Sequence, residues 1–170
     1  ISCRRGEPAF GEVLADSARK TQRSLRSATY VQFKQVELSV GHTCMPASQD
    51  KSFMRLALEE ANKSFINNEV PVGAVVVMGN EVLGYGHNNV IRDNDVSSHA
   101  EIMAIREASK SLNNYRLNKA IIYTTLEPCH MCAKAIVDAR VDKIIFATPE
   151  PKTGSLVSID NILERLTFNH

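Results

Sequence analysis

Two short segments of the 170-residue chain carry side chains whose types and spacing could do chemistry: Ser98-His99-Ala100-Glu101 and Pro128-Cys129-His130-Met131-Cys132. Cys129 and Cys132 stand at i and i+3, so on a helix their Cβ atoms lie about 5–6 Å apart on one face. Two thiolates bound to one zinc ion, at about 2.3 Å each, suit that spacing. A helix start lowers thiol pKa and favours the ionised ligand. His99 offers a nitrogen ligand, and three protein ligands leave a fourth position open for water, the catalytic arrangement of zinc rather than the structural one. Glu101 lies two residues beyond His99. Inside a helix those side chains would diverge by about 200°. They serve one centre only where His99 has not yet joined the regular turn, and there Glu101 reaches a bound water without ligating the metal.

Each signal has a plainer reading. Ser98-x-x-Glu101 is also a capping box, which would make Glu101 a structural residue of the first helical turn. Cys-x-x-Cys serves redox pairs and buried thiols as well as metals, and a lone histidine is most often a satisfied surface or core residue. The four residues in this order, on two successive helix starts, point instead to zinc catalysis. His130 is read as a bystander, because a fourth protein ligand would close the site; His42 and Cys44 receive no role.

The elements that must position these residues are legible around them. A helix is predicted from Asp50 or Ser52 to about Asn67, with Phe53, Leu56, Ala57, Ala61 and Phe65 on one face and Pro71 ending it. Val72–Met78 is a nearly continuous β-branched run, a strand covered on both faces. Gly79-Asn80 turns it into a second strand, Glu81–His87. A polar loop, Asn88–Ser97, leads to a helix over about Ser98–Leu112. Strands at Ala120–Thr125 and Asp142–Thr148 flank a helix at Cys129–Ala139, and a short helix is predicted around Ser158–Leu166. Strands alternating with helices argue for an α/β sandwich whose mixed sheet is a hairpin followed by parallel βαβ units. In such units both helix starts lie on the same sheet edge, where ligands bind.

Composition narrows the partners. With 44% apolar and 23% charged residues the chain reads as one globular domain. Twenty basic against nineteen acidic residues give a net charge of +1, which excludes a polycationic nucleic-acid binder. No apolar run is long enough to cross a bilayer. Four cysteines in a chain with this much core do not form a disulfide framework, and the Cys-x-x-Cys pair indicates a reducing compartment. Residues 1–44 carry seven basic and four acidic residues, against thirteen and fifteen in the remainder. The chain opens on Ile1, and Met45 is read as the start of the domain. The leader, with strand-like apolar content only at Val31–Val40, is expected to stand outside the fold; an Arg- and Ser-bearing transit segment is the other reading. The last residues, Phe168-Asn169-His170, read as a cut rather than a terminus.

His-x-Glu followed by Pro-Cys-x-x-Cys is the signature of zinc-dependent nucleobase deaminases. From about Asp50 onward the chain resembles the bacterial tRNA-specific adenosine deaminases of that superfamily. The resemblance rests on Pro71-Val72-Gly73-Ala74-Val75, Gly86-His87-Asn88, His99 through Ala104, Asn114-Tyr115-Arg116-Leu117, Thr125 through Cys129, Met131-Cys132-Ala133 and Lys152-Thr153-Gly154. The zinc motif is common to the superfamily, whereas the Asn-Tyr-Arg-Leu and Pro-Lys-Thr-Gly segments point to the tRNA branch.

The resemblance implies a three-layer α/β/α cytidine-deaminase-like fold with a mixed sheet, over residues 45–170, its last strand and helix missing beyond His170. It implies hydrolysis of the wobble adenosine of a tRNA anticodon loop, that of an arginine tRNA, to inosine and ammonia. One Zn2+ per subunit would be held by His99, Cys129 and Cys132, with a zinc-bound hydroxide as nucleophile and Glu101 as proton shuttle. By the same resemblance Asn88 contacts the nucleoside and the backbone around Ala100 and Glu127-Pro128-Cys129 borders the pocket. Glu150 stands near the ribose, and Lys152 and Arg116 meet RNA phosphate. A cytoplasmic homodimer with no membrane contact completes the expectation. Two departures from the family pattern stand near the pocket: Asp95-Val96-Ser97-Ser98 before the His-Ala-Glu segment, and Glu150 where the family has Asp. The competing readings are a free-base or nucleoside deaminase for guanine or cytosine, using the same zinc site, and an inactive zinc-stabilised partner subunit.

Overall fold

Helix α1 (Ala47–Ile66) buries a stripe at spacings of three and four: Asp50, Phe53, Met54, Ala57, Glu60, Ala61 and Ser64. A computed structural model of the chain describes residues 34–37 and 47–162. Phe65, expected on the buried face, is 46% exposed. Ser64 is buried in the last turn instead, because its hydroxyl donates to the main-chain carbonyls of Val72 and Asn88 at 3.1 and 3.0 Å. The helix stops before Pro71, where Asn68 takes a left-handed conformation (φ 58°).

Strand β2 (Gly73–Met78) is buried on both faces, as its β-branched run predicts. It pairs antiparallel with β3 (Glu81–His87) across Gly79-Asn80, where Gly79 has φ +60°. Beyond β3 the predicted loop contains a helical turn, α2 (Val90–Asp93), that no periodicity announced. Helix α3 (Ala100–Leu112) lays Ala100, Ala104 and Ala108 against β3. Gly84 and Gly86 make this approach possible: a Cβ at Gly86 would stand 2.0 Å from the Ala100 carbonyl oxygen. Strand β4 (Ala120–Leu126) runs antiparallel to β2 and parallel to β5 (Lys143–Thr148), with helix α4 (His130–Asp138) between them in sequence.

Residues 1–44 are expected to lie outside the fold, yet Lys34–Glu37 forms a strand, β1, antiparallel to β5. The outer edge of β5 would otherwise present unpaired N–H and C=O groups. The remainder of residues 1–44 lies outside the described residues. The sheet order is β1-β5-β4-β2-β3. Its two faces hold separate cores, one with Phe53, Met54, Val75, Tyr123 and Ile145 on the α1 side, the other with Val76, Ile122, Ile144 and the alanines of α3 and α4. This is the expected α/β/α sandwich with a mixed sheet. A buried bond from Tyr123 Oη to Asp50 Oδ1, 2.7 Å, ties α1 to β4. Ser158 and Ile159, predicted to open a final helix, lie in a turn and a bend, Ile162 is helical, and the rest of the predicted helix lies outside the described residues. None of the described helices is long and apolar enough to cross a membrane.

Candidate metal centre and its cavity

The parallel relation of β3, β4 and β5 brings the starts of α3 and α4 to one sheet edge. His99 is the N-cap of α3 with extended backbone (φ −77°, ψ 152°), and Cys129 is the N-cap of α4 (φ −74°, ψ 173°). Neither side chain is spent on capping. Nδ1 of His99 stands 3.8 Å from Sγ of Cys129 and 3.5 Å from Sγ of Cys132, and the three ligand atoms lie within 4.8 Å of one another. Tetrahedral zinc with ordinary bond lengths asks for nitrogen–sulfur separations of about 3.6 Å. The donor set, two sulfurs and one imidazole, therefore suits zinc in separation as well as in chemistry. The Cys129 thiol is drawn down to about 3, first by its hydrogen bond with Cys132 and further by His99. His99 is raised in return, chiefly by the same Cys129 sulfur.

Glu101 is buried beside this cluster, and burial pushes its carboxyl above the usual carboxylate range. The capping-box alternative fails on geometry. His99, not Ser98, is the N-cap, so Glu101 is the second helical residue rather than the third. Ser98 donates its hydroxyl to Asp93 Oδ2 and Asp95 Oδ2 at 3.2 and 3.3 Å, stiffening the loop that precedes the helix.

A cavity of about 390 Å³ opens over the cluster, lined by His99, Glu101 and Cys129 together with Asn88, Glu69, Val72, Glu127 and Glu150. Two of the wall residues carry structure that sequence reasoning missed. Glu69, buried, accepts from the backbone N–H groups of Ile91 and Arg92 at 2.8 and 2.9 Å and from Asn88 Nδ2 at 3.3 Å. It takes the place of a cap for α2, and nothing in Asn68-Glu69-Val70 announces that role. Glu127, buried, accepts from the N–H groups of Leu156, Val157 and Ser158 on Oε1 (3.0, 2.7 and 3.0 Å), and from Glu150 N (3.0 Å) and Ser158 Oγ on Oε2. Burial alone would raise its carboxyl, but these donors, Ser158 first, hold it below the usual range. Its place beside Pro128-Cys129 was the available signal.

The structure thus gathers His99, Glu101, Cys129, Cys132, Asn88 and Glu150 at one place. Ala100 is fully buried in the core, where its backbone carbonyl packs at Gly86, and it is not part of the cavity lining. Lys152 is exposed on the loop after Glu150, its N–H donating to Glu150 Oε1 at 2.9 Å. Arg116 is exposed between α3 and β4, its guanidinium 5.2 Å from the Tyr115 ring centroid. His130 is exposed and pairs with Asp160 instead of joining the cluster, its Nε2 3.0 Å from Asp160 Oδ1.

Residues 47–148 match the cytidine and deoxycytidylate deaminase zinc-binding region, and the chain belongs to this family of zinc-binding deaminases. Within the family its relatives are more particular. It is 44% identical over 118 residues to the tRNA-specific adenosine deaminase of Aquifex aeolicus (strain VF5), covering 69% of this chain and 78% of that protein, and it belongs with these enzymes. Among solved structures, a tRNA:A34 deaminase described for A-to-I editing at the wobble position is 41% identical with a TM-score of 0.68, over 71% of this chain and 87% of that one. Guanine deaminase from Bacillus subtilis is 37% identical with a TM-score of 0.57, over 62% of this chain and 66% of the other.

Proposed function

We propose that this chain hydrolyses the adenosine at position 34 of a tRNA anticodon loop to inosine, releasing ammonia. The observation that carries the reading is a buried carboxyl, Glu101, standing beside the His99, Cys129 and Cys132 cluster on the lining of a cavity. One zinc per subunit, held by His99, Cys129 and Cys132, would supply activation of water, whose pKa falls from 15.7 toward about 7 on a bound zinc ion. Glu101 accepts a proton from the attacking water as oxygen bonds to C6 of the base, and gives it to ring N1. It then carries the remaining hydroxyl proton to the amine, which leaves as ammonia while the ring carbonyl forms. Burial, which raises its pKa, suits a group that must hold a proton and then release it. Asn88 contacts the nucleoside, and Glu150 stands where the ribose enters. The backbone around Ala100 borders the site, and Lys152 and Arg116 meet RNA phosphate from outside the cavity.

The near-neutral charge suits a partner met through one splayed loop rather than along a duplex. We assign the partner as an arginine tRNA, the working form as a homodimer and the site of action as the cytoplasm. The test is inosine formation at position 34 of a transcribed arginine tRNA, with free adenosine, guanine and cytosine as controls. Conversion of the tRNA alone is expected. Turnover of a free base without turnover of tRNA would transfer the site to the free-base deaminases, and zinc binding with no turnover would make the chain an inactive subunit.

A further inference from the structure

Asn88 is fixed in its backbone but not, by backbone alone, in its amide. Its N–H donates to the Val72 carbonyl at 3.0 Å and its carbonyl accepts from Ser64 Oγ at 3.0 Å. Rotation of the amide by half a turn would exchange a donor for an acceptor at the cavity wall with little change in shape. What removes this freedom is Glu69. Its Oε1 is occupied by the N–H groups of Ile91 and Arg92, and Oε2 faces Asn88 Nδ2. A carboxylate only accepts, so the amide must turn its NH2 toward Glu69 and keep Oδ1 as the acceptor it can offer elsewhere. Both side chains are buried and both line the cavity.

We propose that Glu69 is a positioning residue that sets the hydrogen-bonding polarity of Asn88, and through it the preference of the cavity for a nucleoside group that donates at that point, a ribose hydroxyl or the exocyclic amine. The inference rests on the deamination proposed for this pocket. Glu69→Gln tests it with almost no change of volume. The Gln Oε1 is held by the same two backbone N–H groups, so its Nε2 points at Asn88. The Asn88 amide must then turn Oδ1 toward Gln and present NH2 to the substrate. The polarity is reversed while α2 keeps its bonds.

The expected result is a fall of about 10- to 100-fold in kcat/KM on the tRNA, the range for a buried hydrogen bond turned into a mismatch. Zinc content and melting temperature should stay at wild-type values. The decisive variant adds Asn88→Asp to Glu69→Gln. Gln Nε2 then donates to one carboxylate oxygen of residue 88, the other again accepts from substrate, and at least tenfold of the loss should return. Asn88→Asp alone, which sets two carboxylates against each other, should be worse than the pair. Glu69→Gln with wild-type kcat/KM would overturn the proposal. So would a loss that Asn88→Asp fails to relieve, or one that follows zinc content and melting temperature. A wild-type protein that converts a free base and not tRNA would instead refute the substrate assigned above, and the same cycle run on that base would still decide the role of Glu69.

Discussion

Glu101 and Glu127 line one cavity, both are buried, and their surroundings drive their acidities apart. Glu101 enters a region that desolvates it, and its pKa rises. Glu127 enters a ring of donors from residues 150–158, and its pKa falls despite burial. Burial therefore does not decide what a carboxyl does; the number of donors pointed at it does. The first is suited to move protons. The second is suited to stay ionised and hold a loop, the loop that carries Glu150 and Lys152. Glu69 belongs with Glu127, a carboxylate used to orient its neighbours.

The division can be broken or sharpened by substitution. The largest effect falls on the chemical side: Cys132→Ala should abolish zinc binding and reduce inosine formation to background, read by elemental analysis and by the tRNA assay. A full zinc complement in that variant would remove Cys132 from the ligand set. Glu101→Gln should keep the metal and lose about 10²–10⁴-fold in turnover, the range for a general acid–base group. Because an amide is easier to bury than a carboxylate, its melting temperature should stay level or rise. Destabilisation of Glu101→Gln by more than about 1 kcal/mol would class Glu101 with the loop-holding residues.

Glu127→Gln should do the reverse, keeping zinc but costing about 1–3 kcal/mol, because an amide nitrogen faces donors that expect an acceptor. The pH dependence follows from the lowered folded-state pKa. The stabilisation by Glu127 is fully present above the unfolded value of about 4.3 and is lost as pH falls through the depressed folded value. The stability gap between wild type and Glu127→Gln, measured by denaturant unfolding, should therefore narrow below about pH 4. A gap constant with pH would show that the charge of Glu127 is not what the loop requires. The smallest effect is Ser158→Ala, which removes one of the donors on Glu127 and should cost about 1 kcal/mol with catalysis intact.

Strands β2 to β5 and the long helices were legible because each carries its own apolar pattern, a continuous run or a period. Val72–Met78, Glu81–His87 and the alanine and thiol positions of α3 and α4 fall within one or two residues of their predicted places. What was not legible involves partners distant in sequence. Polar Asp50 and Ser64 lie in the buried stripe of α1 because Tyr123 and the carbonyls of Val72 and Asn88 meet them there. The α2 turn has no hydrophobic period and depends on Glu69, more than twenty residues away. Ser98 looked like a cap and is instead tied to Asp93 and Asp95.

By itself the sequence determined the chemical inventory of the centre: two sulfurs held at i and i+3 on a helix, an imidazole and a carboxyl two residues apart at another helix start. Local geometry suffices for that, since the helix sets such spacings wherever it forms. Tertiary structure alone decided which carboxyl is starved of donors, which is saturated, and which way the Asn88 amide faces. Those properties belong to hydrogen-bond partners supplied by other segments, and no spacing within a motif records where such segments will come to lie.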